Sequence, residues 1–179
     1  MGEETLASES SVRAPLPGRC EVQPARAVSR PGEVASRRSP IVSEGLDNLG
    51  ADGAPARLGI MGGTFDPIHI GHLACAEQVR EAYGLDAVAF IPAGSPVFKR
   101  DRDVTSADDR LAMCRLAAEP YPWLEVSDYE LTKPGKSYTV ETLRYLHSRF
   151  PEDALFLLTG SDMLLSFDSW YCWQEILTL

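Results

Sequence analysis

From Leu58 onward, short apolar runs alternate with longer segments in which apolar residues recur three or four positions apart. The short runs are apolar at nearly every position, which is typical of strands buried on both faces of a sheet. We predict strands at 58–61, 87–91, 124–126 and 154–159. We predict helices at 72–83, from about 106 to 117, at 139–150 and at 163–179, the last interrupted near 168–169. Strands that alternate with helices form parallel sheets covered on both faces, so the predicted fold class is α/β.

Two of these helices have marked ends. Gly84 follows the first helix, where a residue without a side chain suits the C-terminal cap. Thr105 or Ser106 precedes the second helix as a candidate N-cap, and Asp108 and Asp109 lie in its first turn, where the helix dipole favours carboxylates. In a sheet of this kind a ligand is expected at the carboxyl ends of the strands.

The first 56 residues show neither pattern. No aromatic residue precedes Phe65, although the chain has six Phe, three Trp and six Tyr. A segment of this composition buries too little apolar surface to offset the entropy of ordering its backbone. We therefore predict a disordered N-terminal extension, 1–56, followed by one domain, 57–179. The extension lacks the apolar stretch of a secretory signal, and its early glutamates are unlike a transit peptide.

Charge and cysteine content narrow the possible partners. The net charge is −9, and about −8 remains after Arg57, because seven Arg face eight acidic residues up to that point. An acidic domain is a poor general binder of nucleic acid, and no apolar run is long enough to span a membrane. The four cysteines form no metal-binding pattern, and free thiols without a signal peptide indicate a cytoplasmic protein.

The most informative segment, 62–72, leaves the first strand and enters the first helix. It reads Gly-Gly-Thr-Phe-Asp-Pro-Ile-His-Ile-Gly-His. Glycines allow a close approach of the backbone to a ligand, and a helix N-terminus offers free N–H groups to an anion. His69 and His72 are three residues apart at this helix start, so both imidazoles can face one bound anion, and Gly71 leaves room for a base or phosphate. The segment predicts a nucleotide-phosphate site.

This segment resembles the signature of the bacterial nicotinate-nucleotide adenylyltransferases, within the wider HxGH nucleotidyltransferase superfamily. The resemblance continues to the last residue through several ordered motifs. These are Ile91-Pro92 through Lys99, Thr105 through Met113, Glu130-Leu131 with Ser137-Tyr138-Thr139 and Thr142, and Gly160-Ser161-Asp162-Met163 with Trp170. The resemblance implies a Rossmann-like parallel sheet and adenylyl transfer from ATP to nicotinic acid mononucleotide, a step of NAD biosynthesis.

The resemblance also implies roles for particular residues. His69, His72 and Lys99 would be catalytic, acting on the phosphates of ATP. The other ATP-binding positions would be Gly62, Gly63, Thr64, Phe65, Gly71, Gly160 and Asp162. Thr105, Tyr138 and Trp170 would form the mononucleotide pocket. Mg²⁺ would enter with ATP and keep most of its waters, so no protein metal ligands are expected. Asp162 has the alternative role of a helix N-cap.

Two departures from the family pattern stand out. Where the family has Pro-Pro-His-Lys, this chain has Pro96-Val97-Phe98-Lys99, so a phenylalanine replaces one imidazole. The family also continues after its Trp helix into a last strand and a Ser-Ser-Thr-x-Ile-Arg-like motif, which this sequence does not reach. We therefore expect the domain to be incomplete at its C-terminal end.

Several alternatives stay open at this point. The acceptor could be nicotinamide mononucleotide, or phosphopantetheine in a related enzyme, although phosphopantetheine adenylyltransferases usually carry Thr in place of His69. Class I aminoacyl-tRNA synthetases also contain His-Ile-Gly-His but are much longer and bind tRNA. The chain could instead bind nucleotide without catalysing. The oligomeric state is not indicated by the sequence.

Overall fold

The computed structural model describes residues 56–94 and 104–179. Within these ranges four strands alternate with helices, as predicted. The elements in chain order are β1 (Arg57–Gly63), α1 (Ile70–Tyr83), β2 (Ala87–Pro92), α2 (Ala107–Ala118), β3 (Leu124–Val126), α3 (Tyr129–Thr132), α4 (Thr139–Arg149), β4 (Ala154–Leu157), α5 (Ser161–Leu164), a 3-10 helix (Phe167–Ser169) and α6 (Trp173–Ile176).

The strands form one parallel sheet in the order β3-β2-β1-β4. Leu58 pairs with Ala87 of β2 and with Leu155 of β4, so β1 is central. On the far side of β2, Val88 pairs with Leu124. The carboxyl ends of the four strands therefore meet at one edge, where a ligand is expected. The α/β fold class is confirmed.

Side chains alternate between the two faces of each strand, which divides the core into two layers. One layer holds Leu58, Ile60 and alternate residues of β2, and it packs against α4 and α6. The other layer holds Met61, Val88 and Phe90, and it packs against Ala76 of α1 and Cys114 of α2. Helices thus cover both faces of the sheet, which is the doubly wound arrangement that the sequence predicts.

The predicted helix ends are also confirmed. Gly84 caps α1 with φ 59°, ψ 46°, a left-handed conformation that favours glycine. Ser106 caps α2, since its hydroxyl accepts a hydrogen bond from the backbone N–H of Asp109 at 3.1 Å. The division between extension and domain at residue 56 stays a prediction, and Ala56 is the first residue that the structure describes. Ala56 is buried and donates its N–H to Asp153 at 2.8 Å.

The structure differs from the predicted elements in several places, and β4 ends at Leu157, two residues before the predicted end. Helix α1 begins at Ile70, two residues early, because His69 caps it. The four-residue helix α3 is too short to show a period, and the segment after β4 is three short helical pieces. Cys75 and Cys114 carry free thiols as expected, but Cys172 is disulfide-bonded. Among the described residues, no helix is long and apolar enough to cross a membrane.

Candidate active site

The loop from β1 to α1 places two histidines at the carboxyl edge of the sheet. His69 caps α1 in an extended conformation, φ −147°, ψ 168°, and His72 lies one turn further on. Their rings stack with centroids 3.8 Å apart and planes at 25°. His69 is exposed and His72 is half-buried. The prediction that both imidazoles can face one anion is consistent with this pairing.

A backbone hydrogen bond orients the ring of His72. The N–H of His69 donates to Nδ1 of His72 at 3.2 Å. Burial, with a smaller contribution from the charge of His69, lowers the pKa of His72, which favours the neutral ring. Because Nδ1 accepts a hydrogen bond, we assign the proton of the neutral ring to Nε2. Nε2–H is then free of this bond and can donate to a ligand.

Gly71 lies directly beside the ring of His69. A β-carbon at this position would lie 3.1 Å from Nδ1 and 3.2 Å from Cε1 of His69. These distances are shorter than ordinary van der Waals contacts. The space beside Gly71 is therefore occupied by the His69 imidazole itself, and the glycine makes room for that ring.

The buried side chain of Phe65 attaches the β1–α1 loop to the hydrophobic core. Its side chain is 3% exposed and stacks on Phe90 at 5.1 Å, and it meets the ring of His72 edge-on at 5.1 Å. Its φ of 48° is in the left-handed region, which is uncommon for a bulky residue. Of the two preceding glycines, Gly63 packs close to the Phe65 ring, whereas a β-carbon on Gly62 would meet nothing within 4 Å.

Thr105 lies against the same loop. Its backbone N–H donates to Oδ2 of Asp66 at 2.8 Å, and its carbonyl accepts from Nε of Arg110 at 3.0 Å. Nη1 of Arg110 donates to the carbonyl of Thr64 at 2.8 Å. The residue predicted to contact the mononucleotide is thus joined to the loop predicted to contact ATP.

Gly160 and Asp162 lie just beyond β4, the strand beside β1. Gly160 caps α5, and a β-carbon there would come within 2.5 Å of Oδ1 of Asp162. Asp162 is the second residue of α5 and is exposed, so the alternative role as N-cap is wrong. Its carboxylate is accessible at the same edge of the sheet as the histidines.

Tyr138 and Trp170 pack against the layer formed by α4 and α6. The ring of Tyr138 lies 5.0 Å from that of Tyr171, and the ring of Trp170 lies 5.3 Å from that of Phe167. The indole Nε1 of Trp170 is buried without a hydrogen-bond partner. These two predicted pocket residues therefore share one face of the sheet, whereas Thr105 lies on the side of the β1–α1 loop.

A buried carboxyl holds the segment that leads to Tyr138. Glu130 is 7% exposed, and its Oε1 accepts from the hydroxyl of Thr142 at 2.5 Å. Burial raises the pKa of Glu130, while hydrogen bonds from Thr142 and Ser137 oppose that rise. Ser137 also accepts a hydrogen bond from the N–H of Gly94 at 3.1 Å, which ties the segment to the end of β2. A side chain at Gly94 would collide with the carbonyl of Glu130.

Lys99, the third predicted catalytic residue, and its neighbours Pro96 to Phe98 lie outside the described residues. Within 56–94 and 104–179, no group of three or more His, Cys, Asp or Glu is placed to hold a metal ion.

Comparison with known proteins places this geometry in a family. Residues 60–179 match the family model described as cytidylyltransferase-like. The chain belongs to this family. A relative from Desulfitobacterium hafniense (strain Y51) is 46% identical over 125 residues, which are 70% of this chain and 60% of that protein. A Clostridium perfringens relative (strain ATCC 13124) is 45% identical over 120 residues, 67% and 59% of the two chains. Both are named "Probable nicotinate-nucleotide adenylyltransferase".

A solved structure shows the same fold. Plasmodium falciparum nicotinic acid mononucleotide adenylyltransferase, complexed with NaAD, superposes with a TM-score of 0.58 at 18% identity over 65% of this chain and 57% of that one. The resemblance inferred from the motifs is confirmed by relatives of that name. The chain spans about 60% of the length of these curated relatives.

Sequence reasoning missed three residues that shape the site: Asp66, Arg110 and Glu130. Asp66 and Arg110 act on backbone groups, and such partners leave no trace in the spacing of a motif. The signal that could have found Arg110 is its position one turn into a helix, on the face that also carries the buried Cys114.

Proposed function

We propose that this protein transfers the adenylyl group of ATP to nicotinic acid mononucleotide, giving nicotinic acid adenine dinucleotide and pyrophosphate. The observation that carries the proposal is the stacked pair His69 and His72 at the start of α1, with Nε2–H of His72 available to a phosphate. The names of the relatives support the choice of substrates.

The reaction needs little covalent help from the protein. A phosphate oxygen of the mononucleotide attacks the α-phosphorus of ATP in line, and the bond to the departing pyrophosphate breaks. The nucleophile is already an anion, so no protein base has to remove a proton. The protein holds the two phosphates in position and stabilises the charge that develops. His69, His72 and the N–H groups of 63–65 are the proposed donors.

Lys99 is proposed as the cation that offsets the growing charge on pyrophosphate. Gly62 and Gly160 allow the nucleotide to approach the backbone, and Asp162 holds the ATP ribose. Mg²⁺ enters with ATP as part of that substrate and neutralises phosphate charge when bound.

The mononucleotide binds on the other side of the reacting phosphates. Thr105, which precedes α2 and is hydrogen-bonded to the β1–α1 loop, contacts it, and Tyr138 and Trp170 receive the pyridine ring. A flat indole suits stacking on that ring. A cytoplasmic location, the lack of nucleic-acid and membrane partners, and the division at residue 56 stay predictions from the sequence.

The test is pyrophosphate release by the purified 179-residue chain with ATP and Mg²⁺. Nicotinic acid mononucleotide, nicotinamide mononucleotide and phosphopantetheine are supplied in separate reactions. We expect release with nicotinic acid mononucleotide, together with one dinucleotide for each pyrophosphate. Release only with one of the other acceptors would assign the chain to a related enzyme. Binding of ATP without release in any reaction would assign it to the non-catalytic alternative.

A further inference from the structure

Arg110 is a buried cation behind the candidate phosphate site. It is 2% exposed and is the bulkiest of the fully buried side chains described. Removing a guanidinium from water is costly unless its N–H groups are satisfied. None of the ion pairs among the described residues involves Arg110. Its burial therefore needs another explanation than pairing with a carboxylate.

The partners of Arg110 are two backbone carbonyls. One lies in the half of the site proposed to bind ATP, and the other lies in the half proposed to bind the mononucleotide. Nη1 donates to Thr64 at 2.8 Å and Nε donates to Thr105 at 3.0 Å. Thr64 is one of the residues 63–65 whose N–H groups are proposed for ATP, and Thr105 is proposed to contact the mononucleotide. One planar guanidinium thus spans the two halves with two bonds of fixed relative direction.

The bond to Thr64 fixes the direction of a neighbouring donor. The Thr64–Phe65 peptide is trans, since the cis bond described in this loop is Asp66–Pro67. In a trans peptide the carbonyl and the N–H point in opposite directions. When Arg110 holds the Thr64 carbonyl from the core side, the N–H of Phe65 is directed away from the core. The left-handed φ of Phe65 requires such external support.

We propose that Arg110 is a positioning residue that couples the two substrate sites. It fixes the Thr64–Phe65 peptide on the ATP side and, with Asp66, fixes Thr105 on the mononucleotide side. A substrate that binds in one half orders the backbone there. The guanidinium then orders the backbone of the other half. This inference rests on the proposed function, because it assigns one substrate to each half.

The test uses Arg110→Lys, which keeps the charge but cannot make both bonds in the same geometry, and Arg110→Gln, which also removes the charge. The matched control is Arg115→Gln, one turn along α2, where the side chain is 57% exposed and lies 3.5 Å from Asp128. Calorimetric titration measures binding of a non-hydrolysable α,β-methylene analogue of ATP with Mg²⁺, and of nicotinic acid mononucleotide. Each ligand is titrated alone and in the presence of the other.

In the wild-type chain each ligand should tighten the binding of the other. In Arg110→Lys each should bind about 10-fold more weakly, and neither should alter the affinity for the other. Arg115→Gln should stay within about twofold of wild type. The loss of coupling is the deciding readout, because general destabilisation would not remove it from the folded protein.

A second variant covers the case in which a change at the buried position prevents folding. Asp66→Ala removes the acceptor for the N–H of Thr105 and leaves Arg110 in place. It should weaken mononucleotide binding several-fold. Unchanged binding and coupling in Arg110→Lys, or unchanged mononucleotide binding in Asp66→Ala, would overturn the inference while the proposed function stands. A wild-type chain that binds neither ligand would instead overturn the proposed function and this inference with it.

Discussion

The two sides of the candidate site are built by different means. On the phosphate side, formed by residues 62–72, the groups offered to a ligand are two histidines and backbone N–H groups within one short loop. On the aromatic side, formed by Glu130, Ser137, Tyr138, Trp170 and Tyr171, the surfaces come from elements distant in sequence. These elements are held together by ring packing and a buried carboxyl.

This difference reflects what each side has to recognise. A phosphate is held by directional N–H donors, and a tight turn into a helix supplies several of them from consecutive residues. A pyridine ring needs a flat apolar surface, which several packed elements must assemble. Loss of a phosphate donor should therefore act on turnover, and loss of an aromatic surface on binding of the mononucleotide.

The largest effect is expected from His72→Ala. Removing an oriented donor to a phosphate should lower turnover about 10²–10³-fold, with a much smaller effect on the KM of the mononucleotide. Steady-state kinetics with both substrates varied would measure this. His147→Ala, on α4, serves as the control and should stay within about threefold of wild type. An unchanged rate in His72→Ala would remove this residue from the proposed mechanism.

Trp170→Ala should act on the aromatic side and leave the phosphate side nearly unchanged. Loss of the indole surface should raise the KM of the mononucleotide about tenfold, while the KM of ATP changes little. Trp170→Phe should recover part of the loss, and Trp123→Phe, on the opposite face of the sheet, should leave both values near wild type. If the KM of ATP rises as much as that of the mononucleotide, the division into two sides is wrong.

Gly71→Ala tests whether the glycine acts through His69. The added methyl group would press on the His69 ring, so turnover should fall several-fold, although alanine is the better helix former. In a chain that already carries His69→Ala, the same substitution should have no further effect on turnover. A similar loss in both backgrounds would mean that Gly71 serves the ligand directly, as the sequence suggested.

The smallest effect concerns the stability of the aromatic side. The pKa of Glu130 is raised above its ordinary value of 4.5 mainly by burial, so above that pH the folded state holds a proton that the unfolded state releases. Stability should then fall as pH rises from about 4.5 through the raised pKa. Glu130→Gln keeps an acceptor for Thr142 and lacks this titration.

Urea denaturation of both chains across this pH range would measure the effect. Wild type should lose stability relative to Glu130→Gln as pH rises. The charge of Lys133 lowers the pKa of Glu130 and that of Glu141 raises it, so both contribute to this difference, although burial contributes most. A difference that is constant with pH would show that Glu130 titrates normally in the folded state.

The same contrast explains which features the sequence could predict. The strands could be predicted because β1 and β2 contain continuous buried apolar runs. The β1–α1 loop could be predicted because its proposed ligand-binding groups are close together in the sequence. Helix α3 was not predicted, because four residues are too few to show the helical spacing of apolar residues. The role of Arg110 could not be predicted, because its partners are the backbone carbonyls of Thr64 and Thr105. Every residue has a backbone carbonyl, so the sequence gives no sign of such a partner. The contact between Gly71 and the His69 ring could not be predicted, because the position of that ring depends on the geometry of the helix cap.

The account is tested most directly by a crystal structure of this chain with nicotinic acid adenine dinucleotide bound. We expect the phosphates of the dinucleotide against His69, His72 and the N–H of Phe65, and the pyridine ring against Trp170 and Tyr138. The carbonyls of Thr64 and Thr105 should keep their bonds to Arg110. A dinucleotide bound with its phosphates away from the β1–α1 loop, or with its pyridine ring away from Trp170, would contradict the account.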